Sequence, residues 1–301
     1  MSENSKASKK EQAAPENQAE GPEVLTDSAI LGKIFADLQS ASSSGNLKNF
    51  IEKLLDWVEE LHCNWKYERA RKILDKCNSN QVTSMLELDE NKELKRRFGQ
   101  KHALSTYKDR SLHAERLDEA LKILKKIDNL SETKDQEILS LAGHIYQRKW
   151  ELTGQERYLE MSFAYYEACY GQDENPAETL RAGVNAAFVL DLLADLESPD
   201  SKDLPRGYSG DTASKRRKKA EGIREKMVNT FLAVPFNVDV EEQTLPPELV
   251  NRWRNLVKGG EAYLGLEKYP EAKKWLLQAA ALRKNAKDQG KEISECEIES
   301  G

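Results

Sequence analysis

Residues 256–279 contain two short helical patterns joined by a turn, and the small residues in these patterns constrain the fold more than any other feature. The first pattern has a large residue, a pair of glycines and an aromatic residue. The second opens on a tyrosine and repeats small or apolar residues at intervals of four and three, which lie along one helical face. The two sets are Leu256, Gly259, Gly260 and Tyr263, followed by Tyr269, Ala272, Leu276 and Ala279.

Two antiparallel helices approach closely only where their side chains are small. Gly260 is therefore expected opposite Ala272, with Tyr263 and Leu276 filling the space on either side. This spacing is typical of a tetratricopeptide helix–turn–helix unit. One such pair cannot bury its apolar face alone, so the rest of the chain is expected to supply further pairs that stack on it.

Earlier segments carry the same alternation of two helical patterns. Residues 47–78 follow the spacing of the last unit without a gap, whereas the unit at 91–129 needs about four extra residues and the unit at 135–170 needs an insertion near residues 153–157. An apolar helix at 177–196 is followed by its partner at 212–231, and a further helix is predicted at 24–38 and is ended by the serines from 42 onward. The residues predicted to pack the repeats are Gly143, Tyr146, Gly183, Gly260, Tyr263, Ala272 and Ala279.

The predicted fold is all-α, a right-handed α-solenoid of four to five tetratricopeptide-like helical hairpins. Its domain spans residues 24–284, with irregular insertions near 197–211 and 232–245, the latter with slight β character. Residues 1–23 are polar and are predicted to form a disordered tail. Residues 285–301 are predicted to form a disordered acidic tail.

Composition excludes several classes of function. The net charge is −6 and the isoelectric point is near 5.5, which argues against a general nucleic-acid binder. The sequence has neither a run of 18 apolar residues nor an apolar core in its first 21 residues, so neither a membrane span nor a secretory signal is predicted. The four scattered cysteines are interpreted as reduced thiols of a cytoplasmic protein. The histidines and cysteines lack metal-ligand spacing, and no cofactor motif occurs, so no metal, cofactor or catalytic residue is predicted.

Two blocks in the centre of the chain resemble the tetratricopeptide-like TRAFs-binding family. That family includes the central regulatory region of apoptosis signal-regulating kinases and bacterial homologues. The resemblance extends over residues 114–283 and is most specific between 143 and 185. It implies regulation through binding rather than catalysis by this chain. The residues that carry it are Ala142, Gly143, Ile145, Tyr146, Arg148 and Trp150, then Gly183, Val184, Asn185 and Ala187.

A candidate binding groove follows from the repeat geometry, in which positions just after the small pair face the concave side. His144 and Arg148 are one turn apart there, with Ser140 a turn before them. Arg181 and Asn185 are expected to share this surface. Arginine suits a carboxylate or phosphate, so the groove is predicted to bind an anionic ligand or a partner carboxylate. The alternatives are that Arg148 pairs with an acid of the next repeat, that His144 is merely half-exposed, and that Asn185 bonds a nearby loop.

Other polar and aromatic segments have more ordinary interpretations. The loop at 203–211 and the basic run at 214–219 suit a phosphate, but they lack phosphate-loop spacing, and a solvated charge run is the simpler interpretation. The basic run is also unfavourable at a helix start, which indicates either a later start or partners for these charges. The aromatic stripe is interpreted as packing, and it consists of Tyr158, Tyr165, Tyr166 and Tyr170.

The functional prediction is a non-catalytic adaptor or sensor in a signalling or conflict system. It is expected to bind a protein, a peptide or a small anionic signal through its groove and to act on a protein partner or effector. One alternative is an enzyme with its site in the insertions at 197–211 and 234–243, where the acids Glu197, Asp200, Asp203 and Asp211 occur without a histidine. The other is a purely structural scaffold subunit. The sequence does not predict an oligomeric state.

Overall fold

The computed structural model describes residues 27–172, 175–197, 210–231, 246–290 and 293. Within these ranges the regular structure is helical, without strands, as predicted. The helices are α1 (Asp27–Ser44), α2 (Leu47–Cys63), α3 (Tyr67–Cys77), α4 (Asn80–Leu86), α5 (Lys92–Lys108), α6 (Glu115–Ile127), α7 (Gln136–Thr153), α8 (Glu156–Tyr170), α9 (Pro176–Leu196), α10 (Gly210–Phe231), α11 (Pro246–Gly265) and α12 (Tyr269–Asp288), with a 3₁₀ turn at Asp89–Asn91.

Consecutive helices pack as five pairs in the part of the chain that the structure describes. The pairs are α2 with α3, α5 with α6, α7 with α8, α9 with α10, and α11 with α12. Neighbouring pairs also touch, for example α8 with α9 and α10 with α11. A tetratricopeptide-like α-solenoid is therefore confirmed, because each pair buries its apolar face against the next.

Two local predictions need correction. Helix α1 continues through Ser42 and Ser43 to Ser44, since a serine hydroxyl can bond the carbonyl four residues back within a helix, as Ser43 does to Gln39 at 2.9 Å. The short helix α4 lies between the first two pairs and was not predicted. Its N-cap is Ser79, whose hydroxyl accepts a hydrogen bond from the Val82 amide at 3.4 Å.

The first and last pairs share one turn geometry, which explains why their sequences align without a gap. Trp65 and Glu267 each lie two residues before the tyrosine that opens the second helix, and both adopt a left-handed φ, of 58° and 57°. In each turn the next residue, Lys66 or Lys268, donates its amide to a carbonyl five residues back, at 2.9 and 3.0 Å. This is the Schellman arrangement that ends a helix.

Glycines allow the helices of several pairs to approach closely. A Cβ on Gly143 would lie 2.6 Å from a ring carbon of Tyr166, and one on Gly183 would overlap Met227. A Cβ on Gly260 would lie 2.8 Å from Leu276 and 3.5 Å from the Ala272 carbonyl, in agreement with the predicted contact. The non-glycine packing residues are also buried as predicted, and they are Tyr146, Tyr263, Ala272 and Ala279.

Leu276 differs from the prediction, because it is 41% exposed although it lies over Gly260. The buried aromatic at this level is instead Trp275, which lies over Gly259. Ala272 and Ala279 of the predicted stripe stay buried, so the apolar face of α12 keeps these two residues and includes Trp275 instead of Leu276.

The predicted tail at 1–23, most of the acidic tail and most of both insertions lie outside the described residues. So does the β character proposed for 234–243. Helix α10 begins at Gly210, two residues before its predicted start. No described helix is long and apolar enough to cross a membrane.

Candidate functional site

Two adjoining cavities lie along the first helices of successive pairs, and together we call them the groove. The smaller cavity has a volume of about 730 Å³ and the larger one about 1260 Å³. Both are lined by residues from α5, α7, α9 and α11. The side chains shared by the two cavities mark their junction, and they are Tyr67, Tyr107, Lys108, His144, Asn185, Lys258 and Glu261.

His144 lies at this junction and its tautomer is set by its neighbours. Its Nδ1 lies 2.8 Å from the Ser140 carbonyl, which can only accept, so Nδ1 carries the proton and donates. Its Nε2 then accepts from the Asn185 amide nitrogen at 3.4 Å. The imidazole edge also packs against the Tyr166 ring, with the centroids 5.3 Å apart. The ring is therefore fixed by α7, α8 and α9 together.

His144 is neutral at physiological pH. Its pKa is lowered to about 3, chiefly by burial and also by the positive charges of Lys108, Lys258 and Arg181, against the opposing hydrogen bond to the Ser140 carbonyl. His144 is partly exposed, but protein surrounds its ring on several sides. A charged imidazolium at this position would therefore be poorly hydrated. The positive charge around His144 thus comes from the three cations and not from the histidine.

The five predicted groove residues all line the groove, although in different parts. Ser140 and Arg181 line the larger cavity, Arg148 lines the smaller one, and His144 and Asn185 lie at the junction. The Arg181 guanidinium donates to the Asn255 side chain at 3.2 Å and also pairs with Glu178.

Two of the alternative interpretations of these residues can be compared with the structure. Arg148 pairs with Glu151 on its own helix rather than with an acid of the next repeat. Asn185 contacts His144 and is buried against α7 rather than bonded to a loop.

Sequence reasoning missed several groove residues from other repeats. Lys108, on α5, and Lys258, on α11, both reach the junction. Glu261 follows Gly260 just as His144 follows Gly143, so the rule used for α7 would have found it on α11 as well. Lys108 has no such signal, because it lies at the last residue of α5, far from a small pair.

Trp65 is a further missed residue, and its backbone conformation draws attention to it. A bulky residue seldom adopts a positive φ, yet Trp65 does so and lines the smaller cavity, and its ring meets that of Tyr67 edge to face with the centroids 5.5 Å apart. Phe188 and Leu264 line the same cavity and are 47% and 51% exposed. The smaller cavity thus offers apolar and aromatic surface beside the charged junction.

The groove is electropositive, whereas the chain as a whole is acidic. Eight lysines and arginines line the larger cavity, against four glutamates, on a chain whose net charge is −6. The eight cations are Lys101, Lys108, Arg181, Arg254, Lys258, Arg283, Lys284 and Lys287. An excess of one sign within a concave surface concentrates ions of the opposite sign, so this surface favours an anion.

The basic run at 214–219 lies in α10 and has carboxylate partners, which was one of the two predicted explanations for it. Arg216 lies 2.8 Å from both Glu160 and Glu197, Arg217 2.8 Å from Asp195, and Lys219 2.7 Å from Glu167. These pairs tie α10 to α8 and α9. They do not favour the phosphate-binding interpretation of this run.

The residues proposed for an enzymatic site lie outside the described ranges, apart from Glu197 and the backbone of Asp211. Glu197 is buried and pairs with Arg216. Across the described residues, no group of three histidine, cysteine or carboxylate side chains is arranged to hold a metal ion.

Comparison with known families matches part of the chain. The family described as Tetratricopeptide Repeats-Sensor matches residues 66–190, which extend from the end of the α2–α3 turn to most of α9. The match supports a tetratricopeptide-like family for this chain, and it contains all five predicted groove residues. No curated protein matches the chain. The finer resemblance to the TRAFs-binding family stays a prediction.

Proposed function

We propose that this protein is a non-catalytic sensor that binds a small anion at the junction of its groove and passes the binding event to a protein partner or effector. The observation that carries the proposal is the convergence of Lys108, Arg181 and Lys258 around the neutral His144. Each of these three cations belongs to a different helical pair. The match to a family described as a sensor supports the same class of function.

The chemistry of the junction suits an anion with several acceptor oxygens, such as a phosphate or a carboxylate. The cations supply charge-assisted hydrogen bonds, which are roughly twice as strong as neutral ones. Protonated His144 would add a further positive charge, but its low pKa keeps it neutral. Ligand affinity should therefore depend on the three cations and only weakly on pH near neutrality.

A peptide ligand is the second candidate, and the exposed apolar surface of the groove favours it. Phe188 and Leu264 lie together in the smaller cavity beside Trp65. An acidic peptide with an apolar residue would place its carboxylate at the junction and its apolar side chain in this cavity. On this interpretation the protein is an adaptor. The following experiment distinguishes an adaptor from a sensor of small molecules.

The first test is thermal unfolding of the full chain in the presence of nucleotides, nucleotide-derived signals and acidic peptides. A ligand that binds only the folded state raises the Tm. A small anion is expected to raise it, and the increase is expected to be lost in Lys258→Gln and Arg181→Gln. The variant Arg148→Ala tests whether the ligand extends into the smaller cavity.

The matched control is Lys273→Gln, which removes an exposed positive charge from α12 outside both cavities. It should leave the Tm increase intact. A shift with acidic peptides alone would favour the adaptor. If no ligand in the panel changes either the Tm or hydrogen exchange along α5, α7, α9 and α11, the proposed sensor function is wrong and the scaffold interpretation takes its place.

A further inference from the structure

A third cavity, with a volume of about 370 Å³, lies between α6, α7 and α8 on a different side of α7 from the groove. Tyr146 lines it, whereas His144 lines the groove, and residues two apart on a helix point about 200° apart around its axis. We call it the outer pocket, and it is lined by Leu121, Lys122, Lys125, Tyr146, Lys149, Arg157, Tyr158 and Met161 together with Asp118.

The charges of the outer pocket are strongly unbalanced. Four cations line it, Lys122, Lys125, Lys149 and Arg157, against the single carboxylate of Asp118. Asp118 pairs with Lys149, and Lys122 lies 3.3 Å from Glu119 on the exposed face of α6. Neither Lys125 nor Arg157 pairs with a carboxylate among the described residues. An anion in this pocket would therefore meet at least two cations that need a negative partner.

Two of these cations are held in place before any ligand binds. The Lys149 ammonium lies 4.9 Å from the centre of the Tyr158 ring, and its side chain is only 12% exposed. The Arg157 guanidinium lies 4.8 Å from the same ring and donates to the Tyr158 hydroxyl at 3.0 Å. Tyr146 stacks beneath, 6.2 Å from Tyr158. Fixed cations lose less conformational freedom on binding, which favours a ligand.

The outer pocket also presents apolar surface. Met161 is 37% exposed at its edge, and Leu121 and Tyr146 form its floor. A free inorganic ion would leave this surface uncovered. A charged side chain on an extended segment would bring its apolar neighbours onto it, so the combination of excess positive charge and apolar surface points to a peptide.

We propose that the outer pocket binds a phosphorylated side chain in an extended segment of a partner protein. A phosphate group carries about −1.5 to −2 charges and three acceptor oxygens, so it matches the excess of cations better than one carboxylate. An apolar residue beside it would contact Met161 and Leu121. This interaction surface is independent of the anion site in the groove.

The test uses four fluorescent peptides of one leucine-flanked sequence, with serine, glutamate, phosphoserine or phosphotyrosine at the centre. Their affinity for the full chain is measured by fluorescence anisotropy. At least one phosphorylated peptide is expected to bind about tenfold more tightly than the serine peptide, or more. The reason is that a hydrogen bond to a charged group contributes a binding free energy that corresponds to about this factor. Inorganic phosphate at equal concentration should not displace it.

Variants locate the site. Lys125→Gln combined with Arg157→Gln is expected to reduce the affinity for the phosphorylated peptide to that for the serine peptide. Lys126→Gln, an exposed neighbour on α6 outside the pocket, and Lys258→Gln, in the groove, should each leave it unchanged. The proposal is overturned if the phosphorylated and serine peptides bind equally, if none of the four binds, or if Lys126→Gln or Lys258→Gln weakens binding as much as the double variant does.

Discussion

Replacing Gly143 with alanine tests whether the close approach of α7 and α8 holds the centre of the solenoid together. The added Cβ would lie 2.6 and 2.7 Å from two ring carbons of Tyr166, well inside the 3.5 to 4.0 Å at which carbon atoms attract. Tyr166 is fully buried, its hydroxyl donates to Gln147 at 3.2 Å, and its ring packs against His144. The ring cannot move aside without breaking these contacts.

The expected magnitude combines two opposing effects. Overpacking of a buried site costs about 1–3 kcal/mol, whereas alanine is favoured over glycine within a helix by about 1 kcal/mol. Gly143→Ala should therefore change the free energy of unfolding by between about 0 and 2 kcal/mol in the destabilising direction. A matched control is Gly222→Ala in α10, where an added Cβ meets no atom within 4 Å. Only the helix propensity acts there, so this variant should be stabilised by up to about 1 kcal/mol.

Urea denaturation of the two variants and of the unmodified protein, followed by circular dichroism, measures the difference. We expect Gly143→Ala to be less stable than Gly222→Ala by about 1–3 kcal/mol, which is the cost of the overlap alone. Equal changes in the two variants would refute the reasoning, because they would show that Tyr166 has room to adjust. Since Tyr166 also supports His144, Gly143→Ala should in addition reduce the Tm increase caused by a groove ligand.

Two further predictions concern pH and a buried ion pair. The pKa of His144 is lowered to about 3 and that of His62 to about 4 from an ordinary 6.5, so the unfolded chain takes up protons first. The free energy of unfolding should accordingly fall as the pH decreases from 6.5 towards 4. Urea titrations at several pH values should show a weaker pH dependence for His144→Gln. If the dependence on pH is unchanged in this variant, the lowered pKa of His144 is contradicted. Asp109 is fully buried and pairs with Arg71 at 2.6 Å, which keeps the pKa of its carboxyl low although burial opposes this. Asp109→Asn should lower the free energy of unfolding by about 3 kcal/mol in the same assay, whereas the exposed control Asp118→Asn should change it by less than about 0.5 kcal/mol.

Helical periodicity predicted most of the fold because helix formation and the close approach of helices depend on local spacing. Gly143, Gly183 and Gly260 marked three of the close approaches between helices, and all three lie beneath the side chains of partner helices. Helix α4 was missed because it has only seven residues, too few to show a periodic stripe, although its N-cap Ser79 was a usable signal. The burial of Trp275 in place of Leu276 was missed because both residues are large and apolar, so either residue satisfies the pattern.

The groove was predictable in part, for a different reason. His144, Arg148 and Ser140 share one face of one helix, and helical spacing alone places them together. Lys108 and Lys258 reach the same point from α5 and α11, more than a hundred residues apart in sequence. Whether these residues meet depends on the rotation between successive pairs along the solenoid. The spacing of residues within one sequence does not specify this rotation. The pairing of Arg148 with an acid of the next repeat was wrong, because Glu151 lies three residues on along the same helix and within reach.

The position of the three cations around His144 suggests how binding in the groove reaches a partner. In a solenoid each pair contacts mainly its neighbours, so the curvature is the sum of small angles between pairs. Lys108, Arg181 and Lys258 come from three pairs, and Arg181 and Lys258 each pair with a glutamate of their own helix, Glu178 and Glu261. An anion among the three cations would attract all of them and draw α5, α9 and α11 together. A neutral His144, held by Ser140 and Asn185, would form the fixed floor against which this closure occurs.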